Sequence, residues 1–116
     1  MFSYGRIMAG SLAVGLFACS AVQAFAEPTG NDLKGKYAYR GVYKACRERG
    51  EVESDKPSIH PDAKTQAQWE QVFAEKNFKI FGCAKEWDAL TDEGRNDILT
   101  YLWKHAADSP TPAKCK

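Results

Sequence analysis

Residues 91–106 carry a complete set of helix signals, and this feature constrains the fold of the chain more than any other. Thr91 can cap the N-terminus, acidic side chains follow in the first turn, and basic side chains stand near the other end, where the helix dipole favours them. The apolar face consists of Ile98, Leu99, Leu102, Trp103 and Ala106. No stretch of useful length alternates apolar and polar residues as a strand does, so the sequence predicts an all-α fold.

A second amphipathic segment predicts an opening helix over residues 33–46, with Asn31 or Asp32 as its N-cap. One stripe of this helix recurs every four residues and consists of Leu33, Tyr37, Gly41 and Ala45. Because Gly41 has no side chain, we expect a neighbouring helix to approach this stripe closely.

Shorter elements separate these two helices. Residues 47–63 are polar and contain Gly50 and two prolines, so they predict a surface loop. Residues 65–68 have the form of a capping box and predict a helix of about ten residues. An apolar run over residues 78–81 and a short helical turn around Trp87 follow, which gives three to four helices in all.

The chain opens with a pattern typical of a secretory signal peptide. Arg6 precedes an apolar run, and Ala24-Phe25-Ala26 provides a cleavage site after residue 26. We therefore expect one domain over residues 27–116, located in the periplasm or otherwise secreted. A membrane anchor is a second interpretation, although the run is short for a span. A lipoprotein attached through Cys19 is a third.

Length and charge limit the mature chain to a small, balanced domain. About 90 residues remain after cleavage, enough for one domain. Without Arg6, the 16 Lys and Arg residues fall to the same number as the 15 Asp and Glu residues. Bulk charge therefore favours neither nucleic acid nor an anionic membrane as a partner.

A degenerate attachment motif lies at the end of the opening helix. Covalent c-type haem requires Cys-x-x-Cys-His, that is, two thiols for the porphyrin vinyl groups and an imidazole for the iron. The same register here reads Tyr43-x-x-Cys46-Arg47. One thiol is a phenol, and the imidazole is a guanidinium, which cannot ligate iron. We therefore expect no conventionally attached haem.

Several segments together resemble class I cytochromes c, in particular small secreted monohaem members. Residues 35–40 read Gly-Lys-Tyr-Ala-Tyr-Arg, residues 64–69 read Lys-Thr-Gln-Ala-Gln-Trp, and residues 90–102 read Leu-Thr-Asp-Glu-x-x-x-Asp-Ile-x-x-Tyr-Leu. A tail over residues 105–115 completes the resemblance. It implies a small cytochrome c-like fold whose terminal helices cross at Gly35, with haem c as the group that the family carries.

The resemblance also assigns site residues. It places the attachment positions at Tyr43, Cys46 and Arg47, and it leaves His60 as a weak candidate for a distal iron ligand. A solvated loop residue is the simpler interpretation of His60. His105, at the end of the last helix, is interpreted as a group that offsets the helix dipole.

Three cysteines remain after cleavage, which allows one disulfide and one further thiol. Following the resemblance, we expect Cys83 to pair with Cys115, since the two flank the last helix and the tail between them is Pro-rich. A pairing of Cys46 with either of the others is the alternative. An unpaired Cys46 would be a buried apolar residue or a redox or attachment site. Together with the two histidines, the cysteines match no closed zinc site, so no metal is expected.

Three functions are compatible with these features. The first is a secreted cytochrome c-like domain without haem that acts as a binding or accessory subunit, with a protein partner in an electron-transfer complex. The second is an electron carrier that holds haem unconventionally through Cys46 and His60. The third is a small-ligand binder whose many aromatic residues line the vacated haem pocket rather than a filled core. No nucleophile and base, and no carboxylate pair, stand at a diagnostic spacing, so an enzyme is not expected.

Overall fold

The computed structural model describes residues 27–113, and this part of the chain is all-helical, as predicted. Four α-helices and two 3₁₀ turns follow one another. The helices are α1 (Asp32–Glu48), α2 (Gln66–Ala74), α3 (Ala84–Ala89) and α4 (Asp92–Lys104), and the 3₁₀ turns are Pro61–Ala63 and Phe78–Phe81. None of these helices is long and apolar enough to cross a membrane. The predicted signal peptide, Cys19 and Cys115 lie outside the described residues.

The helices begin where the sequence predicts them to begin. Asn31 caps α1 by accepting a hydrogen bond from the Lys34 N–H at 2.9 Å. Thr91 does the same for α4 with the Gly94 N–H at 2.9 Å. Thr65 opens α2 with a complete capping box. Each cap satisfies a backbone donor that the helix itself leaves free.

The terminal helices α1 and α4 pack together, and their closest approach is at Gly35. A Cβ added to Gly35 would overlap the backbone carbonyl of Asp97. The Asp97 side chain also holds the start of α1, because its Oδ1 accepts a hydrogen bond from the Asn31 N–H at 2.8 Å. Glycine at position 35 is therefore required by contact between two backbones.

The prediction for the buried face of α1 is wrong. The stripe that begins with Leu33 and Tyr37 faces solvent, since these side chains are 58% and 61% exposed, and a Cβ at Gly41 would meet no atom within 4 Å. The buried stripe consists instead of Gly35, Tyr39, Val42, Tyr43 and Cys46. Both stripes have helical spacing, so periodicity does not distinguish them. The buried one carries the glycine that admits α4 and the aromatic rings that reach the interior.

Stacked aromatic rings fill the interior. Phe81 lies between two indoles, with ring centroids 4.4 Å from Trp87 and 6.0 Å from Trp69, and both pairs are nearly parallel. Phe78 stacks on Trp87 at 5.0 Å, and Tyr39 meets Phe81 edge-on at 5.8 Å. These contacts favour an ordinary filled core over a vacated pocket.

Cys83 pairs with Cys46, which corrects the predicted bond between Cys83 and Cys115. Cys46 lies on the face of α1 that packs against α3, and Cys83 immediately precedes α3. Their Cα atoms are 5.7 Å apart, within bonding range for a disulfide, and both residues are fully buried. The resemblance places a haem-attachment position at Cys46, whereas in the structure this sulfur is bonded to Cys83.

An ion-pair network covers the disulfide. Arg49 donates hydrogen bonds to Glu51 and to Glu86 at 2.7 Å each. Glu51 in turn accepts the Cys83 N–H at 2.9 Å. The hydrogen bonds from Arg49 lower the pKa of both carboxyl groups, so the carboxylates stay ionised at neutral pH. The network thereby links the end of α1 to the start of α3.

Candidate binding groove

Two of the three residues of the degenerate attachment motif are part of the core, and the third lies at the surface. The Tyr43 side chain is buried, and its hydroxyl donates a hydrogen bond to the Phe81 carbonyl at 3.0 Å. Cys46 is bonded to Cys83, and Arg47 is exposed. Tyr43 and Cys46 therefore stabilise the core, while Arg47 extends from the surface.

His60, the fourth candidate, is exposed and lines a groove that includes none of the other three. The groove has a volume of about 610 Å³ and lies between α1, the loop over residues 55–61 and Tyr101 of α4. The structure thus does not bring the predicted haem positions together with the predicted distal ligand.

Two buried aromatic side chains hold the loop wall of the groove in place. The Tyr39 hydroxyl donates a hydrogen bond to the Ile59 carbonyl at 2.6 Å, and the Trp69 indole N–H donates one to the Pro61 carbonyl at 2.8 Å. His60 lies between these two fixed carbonyls. Burial raises the pKa of Tyr39 far above its usual value, so the phenol remains a donor at any physiological pH. The wall is preorganised because core residues fix its backbone.

Basic side chains dominate the charge of the groove. Arg40 and Lys44 of α1 and Lys56 of the loop line it, and Asp55 is the one acidic residue among its lining residues. Within residues 27–113, none of the three cations takes part in a salt bridge. Arg40 and Tyr101 both line the groove; burial raises the pKa of Tyr101, and the positive charge of Arg40 opposes that shift.

The groove is continuous with the exposed face of α1. Tyr37 and Gly41 belong both to the groove and to the exposed stripe of Leu33, Tyr37, Gly41 and Ala45, which we call the open stripe. The open stripe extends about 18 Å along the helix. It presents the large side chains of Leu33 and Tyr37 and the open position of Gly41 to solvent.

The sequence pattern indicated His60 as a candidate site residue, but it assigned the open stripe to a helix contact and missed the basic residues of the groove. Arg40 and Lys44 flank Gly41 and stand four residues apart, so they share one helix face. This spacing was visible in the sequence. The contribution of Lys56 was not, because only the fold brings its loop against α1.

Within residues 27–113, one cluster of side chains could supply metal ligands, but few of its ligand atoms are free. Ligand atoms of Cys46, Cys83 and Glu86 lie within 4.8 Å of one another. Both sulfur atoms are joined in the disulfide, which leaves the Glu86 carboxylate, and this group is already paired with Arg49. In the oxidised protein the cluster is a structural element.

Comparisons of the chain with protein-family models, with curated proteins and with solved structures give no match.

Proposed function

We propose that this chain is a secreted, haem-free, cytochrome c-like domain that acts as a binding or accessory subunit beside electron-transfer proteins. The observation that carries the proposal is the open stripe. A small domain that leaves Leu33 and Tyr37 more than half exposed on its longest helix has a surface that a partner would bury. Gly41 allows the backbone of the partner to approach closely, because the space above it is open.

Three structural observations support the haem-free state. The Cys46 sulfur is bonded to Cys83 and cannot form a thioether while the disulfide persists. Arg47 is exposed and offers no lone pair to iron. Phe81 stacks against the indoles of Trp69 and Trp87 in the interior, as expected for a core filled by side chains rather than by a porphyrin.

A mass measurement tests the haem-free state. We expect the protein, exported by a host that carries the c-type haem attachment machinery, to have the mass of residues 27–116 less two hydrogens. The same sample should lack a Soret band, because neither a free thiol nor an axial imidazole stands at the attachment positions. A c-type cytochrome exported by the same host is the positive control. A mass increased by one haem would restore electron transfer as the function.

Site-specific photocrosslinking tests the subunit role. With a benzophenone amino acid at Ala45, we expect one protein partner to be crosslinked in the exported fraction of the native organism. The same amino acid at Lys85, which is exposed on α3 outside the groove, should give no such product. Gly41→Leu should abolish the crosslink from Ala45, because a Cβ at this position meets no atom within 4 Å and the leucine side chain would fill the space that the partner uses.

Equal crosslinking from Ala45 and Lys85 would contradict the proposal, and so would an Ala45 crosslink unaffected by Gly41→Leu. Circular dichroism of each variant verifies that the fold is retained.

A further inference from the structure

We propose that the groove binds an acidic segment of the protein partner, one that carries Asp or Glu side chains with apolar residues between them. This inference rests on the proposed function, because the segment belongs to the partner that the open stripe contacts. It adds the chemistry of that partner and the residues that recognise it.

Charge complementarity is the first argument. Arg40, Lys44 and Lys56 stand on the two sides of the groove, and none is neutralised by a salt bridge within residues 27–113. The mature chain as a whole has no expected net charge, so this concentration of positive charge is local. The three cations outnumber Asp55, the one acidic lining residue, so carboxylates entering the groove would pair with cations that form no salt bridge within residues 27–113.

The apolar lining is the second argument, because it distinguishes a peptide from a simple anion. Tyr37 and Tyr101 provide aromatic surface, and Ile59 with Pro57 and Pro61 forms an apolar wall. A small anion would leave these surfaces uncovered. A segment with alternating acidic and apolar side chains would use both kinds of contact.

The shape of the surface is the third argument. The groove and the open stripe share Tyr37 and Gly41, so together they form one continuous surface along α1. Its length suits a peptide segment better than a compact ligand. The hydrogen bonds from Tyr39 and Trp69 fix the loop wall in advance, which lowers the entropy cost of ordering it on binding.

Selection from a display library of short random peptides, panned on the full mature protein, tests the inference. We expect the enriched peptides to contain Asp or Glu interspersed with apolar residues. The strongest peptide should bind about tenfold more weakly to the Arg40→Glu/Lys44→Glu variant than to the wild type, and its affinity should fall as salt rises. Lys79→Glu/Lys85→Glu has the same change in net charge on exposed residues outside the groove, and it should alter the affinity by less than about twofold.

Lys56→Glu provides an independent variant on the opposite wall, in case the double variant on α1 does not fold. It should also weaken peptide binding, because both walls contact the same segment. Enrichment of neutral or basic peptides would overturn the inference. Equal weakening by the groove and control variants would overturn it too, and so would binding to phosphatidylglycerol vesicles in place of acidic peptides.

The two proposals fail in different ways. A partner crosslinked from Ala45 without acidic peptide binding would leave the subunit role intact and reject the acidic segment. Acidic peptide binding without any crosslinked partner would support the groove chemistry and count against the subunit role.

Discussion

Replacing Cys46 and Cys83 together with alanine is expected to lower the free energy of unfolding by about 4 kcal/mol. The bond joins residues separated by 37 positions, and a cross-link over a loop of this length removes about that much free energy from the unfolded chain in the loop-entropy description. The effect is large for a domain of this size, since small domains have total stabilities of roughly 5–15 kcal/mol. Urea denaturation of the mature protein under oxidising conditions measures it.

Cys115→Ala is the matched control and should leave the stability unchanged, because Cys83 is already paired with Cys46. The double replacement is needed because a single change at Cys46 would leave Cys83 free to pair with Cys115. A peptide map that links Cys83 to Cys115, or destabilisation by Cys115→Ala, would contradict the assigned disulfide.

Alanine at Gly35 and alanine at Gly41 are expected to change the stability in opposite directions, although both glycines lie in α1. Gly35→Ala should lower the free energy of unfolding by about 3 kcal/mol, because the added Cβ overlaps the Asp97 backbone, which cannot move without shifting α4. Gly41→Ala should raise it by about 1 kcal/mol, because the new Cβ enters open space and alanine is the better helix former.

Thermal and urea denaturation of the two single variants measure this difference. Since the substitutions are chemically identical and fewer than two turns apart on one helix, the pair controls for helix propensity. Changes of the same sign would mean that α1 does not cross α4 at Gly35.

The elements of the fold could be predicted because their signals are local. The caps at Asn31, Thr65 and Thr91 each satisfy a backbone donor three residues away, so the sequence contains both partners of the contact. The absence of strand alternation likewise favoured helices throughout, and residues 27–113 contain no strand.

The candidate site was only partly predictable. The sequence indicates His60 as a possible iron ligand, whereas in the structure it lines a groove of basic and apolar side chains. The groove depends on hydrogen bonds from Tyr39 to the Ile59 carbonyl and from Trp69 to the Pro61 carbonyl. The first joins residues 20 apart in the chain, and no local pattern indicates such a contact.

The sequence by itself determined the helical class and the helix starts, because these follow from hydrogen bonds between residues close together in the chain. The tertiary structure alone decided which face of α1 is buried and which cysteine pairs with Cys83. Two stripes of α1 satisfy the same periodicity, and three cysteines permit three pairings. The choice in each case depends on which surfaces the other helices bring within contact distance, and that is a property of the packed chain.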